Sequence, residues 1–174
     1  MSSSPRETVA AHIAKIMPLI EQEPEGHLPF PFLSVSHGEH YASSIYCWDN
    51  HHMGMRFAYE GRPEYLRYLV DNLLHHQTPS GYTPNVVSAT EGPSHVRPRF
   101  HSQPYLMQAA LMYTRQDADS AWAGDAFPKL QKYLAYYESN WAAPHGLFRW
   151  PLAYMSGFDN DVVTTFHQPD TVIS

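Results

Sequence analysis

The chain of 174 residues holds a single cysteine, Cys47, so no intramolecular disulfide can form and a thiolate-based metal centre is not expected. It is also poor in lysine, with only Lys15, Lys129 and Lys132, and its formal net charge is −6. No basic patch or stripe results, which argues against nucleic acid and anionic membrane surfaces as partners. No apolar run reaches membrane-spanning length, and the opening MSSSPRETVAAHIAKIMPLI lacks a basic segment followed by an apolar one. A cytoplasmic protein is therefore the expectation. Sustained strand alternation is missing throughout, as are heptads and clean short repeats, which argues against a coiled coil or a solenoid.

Enough apolar sequence is present, 43%, for the chain to fold, and the length suits one domain spanning residues 1–174. Aromatic residues reach 14%, mostly twelve Tyr and eight Phe. Aromatic rings beside polar groups suit sugar recognition, because pyranose C–H faces stack on rings while hydroxyls need donors and acceptors. An aromatic core is the competing explanation.

The periodicity predicts an all-α chain. Val9, Ile13, Ile16 and Ile20 share one helical face over residues 6–22, with Pro18 kinking or ending that helix. Residues 24–47, rich in Pro, Gly, His and Ser, read as a long irregular segment. A second helix is predicted from Asn50 to Tyr59, closed by Gly61, and a third from Pro63 to Gln77 with Leu66, Leu69, Val70, Leu73 and Leu74 as its stripe. Thr78-Pro79-Ser80-Gly81 reads as a turn, and residues 82–102 lack periodicity. A fourth helix is predicted from Pro104 to Arg115 and a fifth from Pro128 to Trp141. Helix pairs joined by long polar loops suggest a toroid of helical hairpins, with the loops building a site at one end.

Four loop clusters carry the candidate chemistry. Trp48-Asp49 sets a stacking ring beside a hydroxyl acceptor, though a helix cap beside a core ring would look the same. Asn85, in Gly81-Tyr82-Thr83-Pro84-Asn85, can donate to and accept from a sugar diol, or simply make a turn. Gln103 precedes the helix-opening Pro104 and can present its amide to a ligand or cap the helix. Asp159, in Met155-Ser156-Gly157-Phe158-Asp159-Asn160-Asp161, lies among aromatic residues including Trp150 and Tyr154. An apolar enclosure raises a carboxyl pKa, which a general acid needs; an Asx turn is the plainer reading.

Taken in order, Trp48-Asp49, Val70-Asp71-Asn72-Leu73-Leu74, Gly81-Tyr82-Thr83-Pro84-Asn85, Ser102-Gln103-Pro104 and Ser156-Gly157-Phe158-Asp159 resemble the trehalase family and the related mannosylglycerate and glucosylglycerate hydrolases. The resemblance spans roughly residues 44–174. It implies a barrel of six helical hairpins, the (α/α)6 toroid, and hydrolysis of an α-glucoside or α-mannoside with inversion. It makes Asp159 the general acid and Trp48, Asp49, Asn85 and Gln103 the wall of the glycone subsite, with Trp150 and Gly157 as further substrate-binding candidates. His101 stands where trehalases usually carry Arg, and Asn160 after the acid is more like the glycerate-glycoside hydrolases. No cofactor is implied. Inverting hydrolysis also needs a base about 6.5–9.5 Å from the acid. No Glu follows Asp159, so the chain is expected to be the N-terminal part of such a domain, completed by a missing C-terminal half or by a second copy.

Twelve histidines raise the question of a metal, but no His-Glu-x-x-His motif occurs and the pairs His51-His52 and His75-His76 are adjacent, which chelates one ion poorly; no metal is expected. Two rival functions remain: a sugar epimerase or isomerase with His101 and His167 as the acid–base pair, and a non-catalytic carbohydrate-binding fragment.

Overall fold

A computed structural model describes residues 4–38, 41–93 and 105–148. Helix α1 (Pro5–Ile20) opens with a capping box: Glu7 N–H donates to Ser4 Oγ at 3.3 Å, and Ser4 N–H donates to Glu7 Oε2 at 2.7 Å. Pro18 lies inside the helix, which ends two residues later, where Glu21 turns extended. Only Ile20 is fully buried; with Ile16 and Met17 it packs on Leu33, Phe57 and Tyr65.

Four further helices follow. Helix α2 (Cys47–Tyr59) and α3 (Glu64–His75) are separated by four residues and pack closely on each other. Gly61, at φ +83°, takes the left-handed turn between them, and its N–H donates to Ala58 O at 3.0 Å. Gly54 permits the contact, since a Cβ there would sit 2.8 Å from Leu66 Cδ2. Helix α4 (Tyr105–Asp117) lies against both α2 and α3, and α5 (Ser120–Trp141) covers α3 and α4. The shared core includes Leu66, Val70 and Ala109, all with no exposed surface.

The fifth helix starts at Ser120, eight residues before the expected Pro128. Asp119 caps it, its carboxylate accepting from Trp122 N–H at 3.0 Å. Pro128 is carried within the helix, at a cost of about 3 kcal/mol. The extra turns place Trp122 and Ala126 on the same buried stripe as Leu130, Tyr133, Tyr137 and Trp141. Burying a large side chain contributes about 1.5–3 kcal/mol, enough to offset the proline.

The chain is mostly helical, but it is not purely all-α as the periodicity predicted. Strands β1 (Glu21–Gln22) and β2 (Phe32–Leu33) pair antiparallel, and β3 (Ser44–Tyr46), β4 (Val86–Ser88) and β5 (Gly92–Pro93) form a second antiparallel sheet in that order. Its register is Ser44↔Ser88, Ile45↔Val87 and Tyr46↔Val86. Each strand has only two or three residues, too few for alternation to register in a sequence. The segments expected to be irregular, 24–47 and 82–102, contain β2 to β5, whereas β1 occupies the last two positions of the expected helix 6–22; Ile45 and Val87 are wholly buried in the core.

Polar locks hold the loops to this core. Asn72, wholly buried on α3, accepts from Phe30 N–H through Oδ1 at 3.1 Å and donates through Nδ2 to Phe30 O at 3.1 Å and Pro31 O at 3.3 Å. Arg62, in the α2–α3 turn, makes a two-pronged bond to Glu21, with Nη1–Oε1 at 3.1 Å and Nη2–Oε2 at 2.6 Å, and so ties the end of α1 to the helix pair.

Replacing Asn72 with Ala removes all three bonds and leaves backbone groups of Phe30 and Pro31 without partners. An orphaned buried polar group costs about 1–3 kcal/mol, so Asn72→Ala is expected to lower stability by about 2–4 kcal/mol in urea unfolding. A loss below about 0.5 kcal/mol would show that the lock is not needed.

Candidate functional site

Strand β3 runs directly into α2, and its partner β4 starts one residue after Asn85. The ladder therefore brings two distant loop clusters together: Cys47 N–H donates to Asn85 O at 2.9 Å. Trp48 and Asp49 follow in the first turn of α2, both half-buried, and Asn85 is 9% exposed. The chain segments that carry three of the residues expected in a glycone subsite are thus joined through backbone where a sheet end adjoins a helix start.

Asn50 fixes the junction. Its Oδ1 accepts from the N–H of Tyr46, the residue that precedes the helix, at 2.8 Å, and its Nδ2 donates to Leu33 O at 2.5 Å. The Asn85 loop is held from the other side. Gly81, at φ +92°, passes so close to α5 that a Cβ would lie 2.3 Å from Lys132 O. Thr78 N–H donates to Tyr82 O at 2.8 Å, and Gln77 Nε2 donates to Thr83 Oγ1 at 3.1 Å and Lys129 O at 2.9 Å.

Three aromatic residues outside the expected set complete the cluster. His51, 2% exposed, stacks on Tyr105 at the start of α4, with centroids 4.9 Å apart and planes at 19°. His52 is exposed and sets its ring edge against Tyr105 at 5.2 Å and Trp48 at 6.3 Å. The His51 and His52 rings lie 5.4 Å apart. The one available signal for Tyr105 was its position two residues after Gln103. The histidine pair drew attention as potential metal ligands, whereas in the structure the rings contact other aromatics. Among the described residues, no group of three metal-donor side chains forms. Gln103, Trp150, Gly157 and Asp159 lie outside the described residues, as do His101 and His167.

Burial sets the electrostatics. It pushes the Asp49 carboxyl above its usual range, opposed in part by its own backbone N–H, by His52 and by a hydrogen bond from Trp48. It pushes the His51 imidazole down to about 4, helped by the neighbouring His52, and leaves Nδ1 without a hydrogen-bond partner among the described residues. It pushes the Cys47 thiol up to about 12, so this cysteine stays protonated and is no nucleophile. A half-buried carboxyl, an indole ring, a neighbouring loop asparagine and an exposed imidazole together can stack on an apolar face and exchange hydrogen bonds with hydroxyls.

The His51 shift predicts a pH dependence. The folded imidazole titrates at about 4 and the unfolded one near 6.5. Between these values the unfolded chain binds more protons, so stability is full above pH 6.5 and is lost as pH falls toward 4. The total approaches ~3 kcal/mol at about 1.4 kcal/mol per pH unit. Asp49, with its pKa raised, has the opposite sign and gains stability on protonation. Urea unfolding across this window should therefore show a slope that His51→Phe flattens; an unchanged slope would remove His51 as its source.

Comparison with protein-family models, with curated proteins and with solved structures finds no match to this chain. Any functional reading therefore rests on the residues and their arrangement.

Proposed function

We propose that this chain carries the glycone subsite and the general acid of an inverting α-glycosidase, similar in plan to trehalases and mannosylglycerate hydrolases. The observation that carries the reading is the joining of the Trp48-Asp49 segment to the Asn85 loop through the β3–β4 ladder and the Cys47–Asn85 backbone bond. These residues lie up to 37 positions apart (85 − 48), and the resemblance names all three for one sugar ring. The Trp48 indole stacks on the C–H face of the pyranose, while Asp49 and the Asn85 amide bind its hydroxyls. Asp159 protonates the departing glycosidic oxygen. A carboxylate beyond Asp159, across the sugar from it, activates the water.

In this reading the helices form part of the hairpin toroid.

Ligand-observed NMR with methyl α-glucoside and methyl α-mannoside tests the subsite. Weak binding is expected, and Trp48→Ala should weaken it about tenfold, ~1.4 kcal/mol. Binding that ignores this substitution would remove Trp48 as the platform. Turnover should be very slow in this chain and substantial in a version that supplies the base, with Asp159→Asn lowering it about 10²–10⁴-fold. Proton NMR of the first-formed sugar should show inversion. Retention, or full turnover by the Asp159→Asn variant, would overturn the assignment.

A further inference from the structure

Helix α1 stands largely clear of the body. From Pro5 to Leu19 none of its residues is fully buried, and contact is made by its last turns, where Ile16, Met17 and Ile20 pack on Leu33, Phe57 and Tyr65. The face that makes this contact continues up the helix, since Val9, Ile13, Ile16 and Ile20 stand at i, i+4, i+7 and i+11. Val9 is 58% exposed and Ile13 is half-buried, so the upper half of the stripe is largely open. A helix of this length is marginal in water without packing, and Pro18 within it adds to the cost. Charge divides along the same helix. Its upper part carries Arg6 and Lys15 against one acid, Glu7, whose carboxylate accepts from Ser4 N–H in the capping box. At its foot, the chain after α1 and the start of α3 line a depression of about 260 Å³ with Glu21, Glu23, Glu64, Tyr65 and Tyr68. Three carboxylates there share one guanidinium, Arg62, which bonds Glu21 and Glu64.

We propose that α1 is a dimerisation helix: it pairs antiparallel with α1 of a second copy, so that the two open stripes cover each other and Arg6 of each copy enters the acidic depression at the foot of the other. One chain carries both halves of this contact, which is the condition for a two-fold interface. With Val9 set against Ile13 of the second copy, and Ile13 against its Val9, the antiparallel register places Arg6 opposite Ile16. Glu21 lies five residues beyond Ile16, about 7.5 Å along the axis at roughly 1.5 Å per residue, a gap that extended arginine and glutamate side chains span together. The depression suits a second guanidinium, because Glu23 is exposed at its edge and the half-buried Tyr68 offers a ring for the planar cation to lie against. Two short helices bury less area than a permanent interface, so the dimer is a weak one. The pairing uses no residue of the glycone subsite and is independent of that reading.

Sedimentation equilibrium of the full chain, from about 1 µM to about 1 mM, reads the association. A monomer–dimer equilibrium is expected. Val9→Asp, a change at an exposed position, should raise the dissociation constant by more than about tenfold while circular dichroism shows the helical content retained. Arg6→Glu and Glu23→Arg should each weaken the dimer about threefold or more. The double variant should recover most of that loss, because each copy again offers opposite charges to the other. This charge exchange decides the matter if Val9→Asp melts α1. A chain that stays monomeric throughout, a dimer that Val9→Asp leaves intact, or a double variant no stronger than the single ones would overturn the pairing.

Discussion

The arrangement of the candidate site depends on one buried amide. Asn50 takes the N–H of Tyr46 and gives to the carbonyl of Leu33, so it holds β3, the first turn of α2 and the β2 segment in one geometry. Tyr46 has no side-chain bond of its own to cap the helix. A helix start otherwise leaves its first amides open, and here the strand delivers the chain already extended and in register with β4. The position of Trp48 and Asp49 relative to Asn85 follows from that junction rather than from direct contact between the three side chains.

Around this junction the molecule separates two kinds of constraint. Apolar burial holds α2, α3, α4 and α5 together, with Leu66, Val70, Leu106 and Ala109 at the centre. Polar pairing then specifies where the loops lie on that core. Asn72 fixes the Phe30–Pro31 segment, and Arg62 joins Glu21, with its guanidinium 4.9 Å from the Phe57 ring centroid. Arg67 bridges Asp71 and Asp119 at 3.2 and 3.3 Å, and Trp122 Nε1 donates to Asp71 at 2.8 Å. The ion pairs are partly exposed and contribute modestly, while the buried amides are costly to lose.

The aromatic cluster shows the same division within the site. His51 is buried and held neutral, and it serves as the back of the Tyr105 ring. His52, its neighbour in sequence, is exposed and faces Trp48 and Tyr105 from the other side of the turn. Adjacent residues on a helix point about 100° apart, so an adjacent pair can supply one packing group and one exposed group. That geometry also explains why the pair is poorly suited to chelating a single ion.

The helical content of the chain was legible in its residues because it depends on local spacing. The stripe of α3 and the turn at Thr78–Gly81 were both readable, as was the closure of α2 at Gly61. The start of α5 was not, because Pro128 reads locally as the opening residue of a helix, while the burial of Trp122 and Ala126 that carries the helix back to Ser120 is a tertiary contact. Likewise the strands escaped notice, since a three-residue ladder exists only through its partner 40 or more positions away (86 − 46 = 40 for Val86 against Tyr46). Candidate residues at Trp48, Asp49 and Asn85 could be named one by one from side-chain chemistry. The joining of their segments, and the ring contacts of His51 and His52 with Tyr105 beside them, came only with the tertiary structure. Side-chain chemistry is written in each residue, but distances between residues far apart in sequence are set by hydrogen bonding and packing of the whole chain.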